Sequence, residues 1–243
     1  MSKIEWTGKT WNPVVGCTKV SPGCKYCYAE KEHDKRHRGY EQGKLQQCPQ
    51  YAKPFSSIQL IPKRLTDPAS WRKPTTIFVN SVSDLFHENI PDSYIEQVLN
   101  VARETPRHIY QILTKRAERL PAFFDARIVP DNVWLGVSVE DRKYGLPRID
   151  HLRQVNAKTR FLSIEPLLEN LGEFDLSGIH WVIVGGESGK NARPILKDWI
   201  LLIKDQCEMA GVAFFFKQWG GKNKKAAGRT LNGEIWGQMP TAP

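Results

Sequence analysis

Three of the chain's five cysteines fall in one short stretch, WNPVVGCTKVSPGCKYCYAE at residues 11–30, where Cys17, Cys24 and Cys27 are spaced C-x6-C-x2-C. Thiolates are soft ligands, so cysteines gathered this closely in a reduced compartment point to a metal or redox site more than to a disulfide framework. Two chemistries use three such thiols. A tetrahedral zinc site would need a fourth donor, for which His33 or His37 is available four residues apart in a charged, helix-prone segment. An iron–sulfur cluster with one iron left free of protein ligands needs only the three. Cys48, in QQCPQ, is read as a loop residue and a candidate second redox group; Cys207, in DQCEMAG, is read as packed core.

The elements that must position these thiols follow from apolar patterning. Short apolar, often β-branched runs recur at 58–61, 75–80, 108–113, 133–139, 160–164, 180–185 and 212–216, each bounded by turn formers or charged residues. Near-continuous hydrophobicity of this kind is what strands buried on both faces require. Helical segments alternate with them at 91–104, 115–126, 143–155 and 197–211, the first opening on Pro91-Asp92 and the last closing on Gly211. With 11–16 as a first strand, the order predicts an α/β fold: a parallel (βα) barrel, closed or partial, of about six to eight units. Chemistry in such folds sits at the C-terminal ends of the strands. The residues that follow each strand therefore form one set: the three cysteines; Asn80, Ser81, Ser83 and Asp84; Thr114, Lys115 and Arg116; Glu140 and Asp141; Glu165; Gly185 to Ser188; Lys217, Gln218 and Trp219.

Three cysteines after a strand and before a helix, with Tyr26 ahead of the last, resemble the signature of the radical S-adenosylmethionine (SAM) superfamily, whose usual spacing is C-x3-C-x2-C. Much of the chain is similar to a narrower, phage-associated family of radical-SAM-like proteins that is often accompanied by a three-Cys-motif partner protein. The stretches that carry this resemblance are the cysteine segment, IFVNSVSDLFHENIPD, ILTKRAERL, FLSIEPLL, GGESGKNARP and FFFKQWG. The resemblance implies a 4Fe–4S cluster held by Cys17, Cys24 and Cys27, SAM as cofactor, and reduction by a protein such as flavodoxin or ferredoxin. It implies that Tyr26 lies near the adenine. Asn80, Ser83 and Asp84 become candidates for the ribose or methionine end of SAM, and Lys115 for its carboxylate or a substrate phosphate. Glu165, Lys115 and Glu187 are the candidate catalytic residues. Gly185-Gly186-Glu187 follows a late strand, unlike the superfamily's Gly-Gly-Glu after the second, so the amino-group contact of that motif is not assigned to it.

The formal net charge of +9 fits a phosphate-rich partner, and a nucleic acid or nucleotide substrate is expected. Residues 1–220 are read as the barrel domain and 221–243 as a basic C-terminal tail carrying Lys222, Lys224, Lys225 and Arg229 against Glu234. The absence of a long apolar run or a signal-peptide core predicts a cytoplasmic protein with no membrane partner. Two rival functions are kept. One is a zinc-stabilised nucleic-acid-binding protein without catalysis. The other is a non-radical barrel enzyme that uses Glu140, Glu165 and Glu187 as acid and base.

Overall fold

A computed structural model describes residues 4–240, with the side chains of Lys224 and Lys225 outside the described set. The chain opens with two short strands, β1 (Lys9–Trp11) and β2 (Val14–Val15), then the cysteine loop and helix α1 (Tyr28–Glu41). A second short strand pair member, β3 (Gln59–Leu60), and helix α2 (Asp67–Ser70) precede the regular part of the fold. There β4 (Thr76–Val79), α3 (Asp92–Glu104), β5 (Ile109–Thr114), α4 (Arg119–Phe124), β6 (Val133–Ser138) and α5 (Pro147–Arg153) alternate. The series ends with β7 (Thr159–Ile164), β8 (Trp181–Gly185), α6 (Lys197–Ala210) and β9 (Ala213–Gln218). A short α7 (Lys224–Ala227) and the hairpin strands β10 (Thr230–Leu231) and β11 (Glu234–Ile235) follow.

Seven strands form one all-parallel sheet in the order β1-β4-β5-β6-β7-β8-β9. The order never reverses, so right-handed crossovers place α3, α4, α5 and α6 on the same face and the sheet curls into a half-barrel. Strand alternation sorts the residues between two cores. The outer face contributes Ile112, Leu135, Leu162, Val184 and Phe216, which pack with Leu99 of α3, Leu120 of α4, Leu152 of α5 and Ile203 of α6. The inner face contributes Phe78, Trp134, Phe161, Trp181, Ile183 and Phe215, which close around Trp6. Above this aromatic floor the inner positions become small or polar, with Ser138, Ser163, Glu165, Gly185 and Lys217 nearer the C-terminal ends of their strands.

Two expected strands fall elsewhere. The first sheet strand is Lys9–Trp11, not 11–16, and the run at 58–61 leaves the barrel: β3 pairs antiparallel with β2 in a separate ribbon. A four-residue apolar run carries no information about its pairing partner. The expected helices at 115–126 and 143–155 shorten to α4 and α5, and Gly211 ends α6 in the left-handed conformation expected of it, at φ 66°. The C-terminal segment, read as a basic tail, lies along β9. Phe216 N donates to Trp236 O and Gln238 N to Phe214 O, and Leu231 is fully buried.

Candidate functional site

The cysteine loop leaves β2 and runs over the C-terminal ends of the strands. Cys17 N donates to Phe55 O at 2.9 Å, Cys24 closes a single 3₁₀ turn from Ser21 at 3.0 Å, and Cys27 occupies the N-cap of α1. All five cysteines are free, and these three are half-buried. Burial pushes the Cys17 thiol up to about 12, with Asp84 adding to the effect and Arg116 opposing it. Burial also raises Cys27 against the pull of the Ala29 and Glu30 backbone N–H groups at the helix start. Among the described residues no three His, Cys, Asp or Glu side chains stand close enough, as placed, to hold a metal ion. His33 and His37 donate to the carbonyls of Lys53 and Tyr51 at 2.9 and 2.7 Å, which turns them away from a Cys3His site.

Residues far apart in sequence hold this loop. Arg116, buried after β5, uses its whole guanidinium: Nε donates to Glu88 at 2.8 Å, Nη1 to Asp84 at 3.3 Å and to Cys17 Sγ at 3.6 Å, and Nη2 to Thr18 Oγ1 at 2.8 Å. Asp84 accepts in addition from Thr114 Oγ1, Lys115 N and Phe86 N, so its carboxylate is consumed in positioning Arg116 and the β5 exit. His87, fully buried, meets Thr18 Oγ1 at 2.9 Å and is held below its ordinary pKa by burial and then by Arg116.

A second clamp acts on the other end of the loop. Glu140, with no exposed surface, accepts from Arg148 Nη1 at 2.6 Å and from Ser21 Oγ, and lies 3.7 Å from Lys115 Nζ. Burial alone would raise its carboxyl; Lys115, Arg148 and Ser21 together more than offset that and hold it below the usual carboxylate range. Gly23 passes so close that a Cβ there would come within 2.9 Å of the Glu140 side chain. Glu187 performs the third tie. It takes both ends of Arg193, at 2.6 and 2.9 Å, while Arg193 Nη1 donates to Pro22 O at 3.0 Å. Gly186 is required by the backbone of Trp219, whose carbonyl occupies the place a Cβ would take.

The remaining expected site residues divide. Glu165 stands on the inner wall, paired with Lys217 at 2.9 Å and accepting from Ser163 Oγ at 3.2 Å. Asn80 adopts φ 60°, accepts from Val14 N through Oδ1 at 3.3 Å, and buries its Nδ2 without a partner. Ser83 Oγ is spent on Val14 O at 2.9 Å. Trp219 packs on Phe216 and donates to Thr230 O, so it braces the C-terminal segment and is not a free stacking platform. Sequence reasoning missed the roles of Arg148 and Ser21; both contact Glu140 from other segments, and nothing in their local sequence signals it.

No curated protein matches the chain. Among solved structures it is similar to spore photoproduct lyase complexed with dinucleoside spore photoproduct, at 13% identity and a TM-score of 0.44, over 80% of this chain and 59% of that one. A mutant of the same lyase with bound AdoMet and dinucleoside spore photoproduct gives 13% identity, a TM-score of 0.45 and coverage of 81% and 60%. The chain thus spans about three-fifths of the length of these structures. A family profile described as "Protein of unknown function (DUF5131)" matches residues 1–240, and the chain belongs to that family.

Proposed function

We propose that this protein is a radical SAM-type iron–sulfur enzyme that acts on a nucleic acid or nucleotide substrate. The observation that carries the reading is the placement of three free, half-buried thiols on one loop at the C-terminal ends of a parallel half-barrel. The donor set fits a three-thiolate cluster by ligand type, and loading would displace the protons that burial favours on Cys17 and Cys27. Asn80 supplies a second point of fit. Its buried, unpaired amide N–H costs about 1–3 kcal/mol, which an acceptor on a bound ligand would offset. When bound, cluster and SAM would supply an electron and a 5′-deoxyadenosyl radical able to take a hydrogen atom from substrate.

The chain's own residues have separate tasks. Arg116 orients Cys17 and offers its sulfur an N–H donor, and Glu140 fixes the turn that carries Cys24. The aromatic floor keeps water from the base of the chamber, and Glu165 with Lys217 presents a charged pair on its wall. The net charge of +9 supports a polyanionic substrate. A reductant such as flavodoxin or ferredoxin and a three-Cys-motif partner remain part of the proposal. The acid–base alternative is disfavoured because Glu140 and Glu187 are each saturated by an arginine.

Anaerobic reconstitution with iron and sulfide tests the reading. Brown protein is expected that loses its colour when Cys17, Cys24 or Cys27 is changed to Ala and that converts SAM to 5′-deoxyadenosine under reductant, faster with oligonucleotide. Colourless protein holding one zinc would sink it.

A further inference from the structure

Tyr26 lies between Cys24 and Cys27, and three cations surround its ring: Lys25 Nζ and Lys31 Nζ at 5.3 Å each and the Arg193 guanidinium at 5.5 Å. Like charges gathered this closely repel, and the ring quadrupole offsets part of that cost. The neighbourhood adds two more cations. Lys19 stands on the same loop, paired with Glu30 at 2.9 Å. Exposed Lys190 follows Gly189, whose Cβ position would be 3.3 Å from Lys31 Nζ. Against these five cations stand three carboxylates, Glu30, Glu140 and Glu187, and all are already engaged, by Lys19, Arg148 and Arg193. Lys25, Lys31 and Lys190 have no ion-pair partner among the described residues. The N-terminus of the 14-residue α1 adds its positive end at the same point.

The cluster is built as well as crowded. Arg193 is fixed by Glu187 on one side and by Pro22 O on the other, and the Tyr26 ring lies beneath both lysine ammonium groups. Preorganised, uncompensated positive charge at the lip of a chamber suits an extended polyanion better than a single small anion, because several phosphates can be met at once.

We infer that Lys25 and Lys31, set by Tyr26 and Arg193, bind the backbone phosphates of a nucleic-acid strand flanking the nucleotide presented to the barrel mouth. This rests on the nucleic-acid reading above and adds to it the place where the strand is held. The contacts are to phosphate, so they position the strand and are indifferent to base sequence.

The test is binding of a labelled single-stranded DNA oligonucleotide to the full chain, followed by fluorescence anisotropy over a range of salt concentrations. Each lost phosphate contact lowers the slope of log K against log[salt] by about 0.7 for a single strand. Lys25→Gln and Lys31→Gln should each do so, and the double variant by about twice as much. Lys73→Gln, which removes an exposed charge at the N-terminal end of β4, should leave the slope unchanged. Thermal unfolding of each variant separates lost binding from lost folding. If the wild-type chain binds but the double variant keeps its slope, or Lys73→Gln lowers it equally, the inference is overturned and the nucleic-acid reading stands. If the wild-type chain binds no oligonucleotide while SAM cleavage persists, the nucleic-acid reading itself falls.

Discussion

At the scale of single residues, Glu140 is the position on which the cysteine loop depends most. It is buried without exposed surface and sits between Arg148, Lys115 and Ser21. Glu140→Ala leaves Arg148 buried beside no counter-charge, and removing one partner of such a pair costs about 3–5 kcal/mol. Urea unfolding should show that loss, and limited trypsin digestion should cleave after Lys25 sooner than in wild type, because the Ser21–Cys24 turn has lost its tether. The carboxyl also makes stability depend on pH. Its folded pKa lies below the unfolded value of about 4.3, so the stabilisation is complete above that value and is lost as pH falls through the folded pKa. Unfolding free energy of the wild type should therefore drop more steeply between about pH 5 and pH 3 than that of Glu140→Gln, which cannot titrate. Parallel pH profiles for the two proteins would contradict the assignment of Glu140 as the anionic clamp.

At the scale of elements, the edge of the sheet at β9 decides how the C-terminus behaves. An uncovered parallel edge strand invites pairing with other chains. Here residues 229–238 cover it: Phe216 N and Gln238 N are satisfied across the gap, Trp181 Nε1 donates to Gln238 O, and Leu231 is inserted into the core. Leu231→Ala should destabilise by about 2–4 kcal/mol and increase self-association, measured by chemical denaturation and size-exclusion chromatography. Ile235→Ala, on the same hairpin but 67% exposed, should change stability by no more than about 0.5 kcal/mol. This strap was not legible in the sequence, because its pairing is largely backbone to backbone and its basic side chains follow no apolar period. The lysine-rich part of the expected tail includes Lys224 and Lys225, whose side chains lie outside the described residues. The central strands were legible for the opposite reason: 133–138 and 181–185 are buried on both faces, so every position had to be apolar or small. β1 escaped notice because Lys9-Thr10-Trp11 is an edge segment with only Trp11 buried. The cysteines announced themselves by type and spacing. Arg116 and Glu140 stood in post-strand positions that marked them as site residues, yet their partners, Cys17 and Ser21, lie about a hundred residues away and are brought to them only by the curl of the sheet.

At the scale of the whole molecule, a half-barrel must solve a problem that a closed barrel does not. Its concave face is open along one side, and apolar side chains there need something to bury them. The N-terminal segment meets that need chiefly with one buried residue, Trp6, beside the partly buried Ile4. Trp6 lies 4.7 Å from the Phe78 ring, 6.4 Å from Phe161 and 6.1 Å from Trp181, so it joins β4, β7 and β8 across the floor. Gln111 of β5 donates to its carbonyl at 3.2 Å, which ties a fourth strand to the same plug. Trp6→Ala should cost about 3–5 kcal/mol, the range for removing a buried aromatic, and should do so although Trp6 precedes the first strand and belongs to no regular element. The change opens the floor to solvent, so it should also raise binding of a fluorescent apolar dye to the native protein below its unfolding transition. Trp6→Phe, which keeps an aromatic ring in the gap, should recover most of the stability. A small loss for Trp6→Ala, comparable to a surface substitution, would mean that the inner aromatic cluster is held by the sheet alone and that the N-terminal segment merely rests upon it.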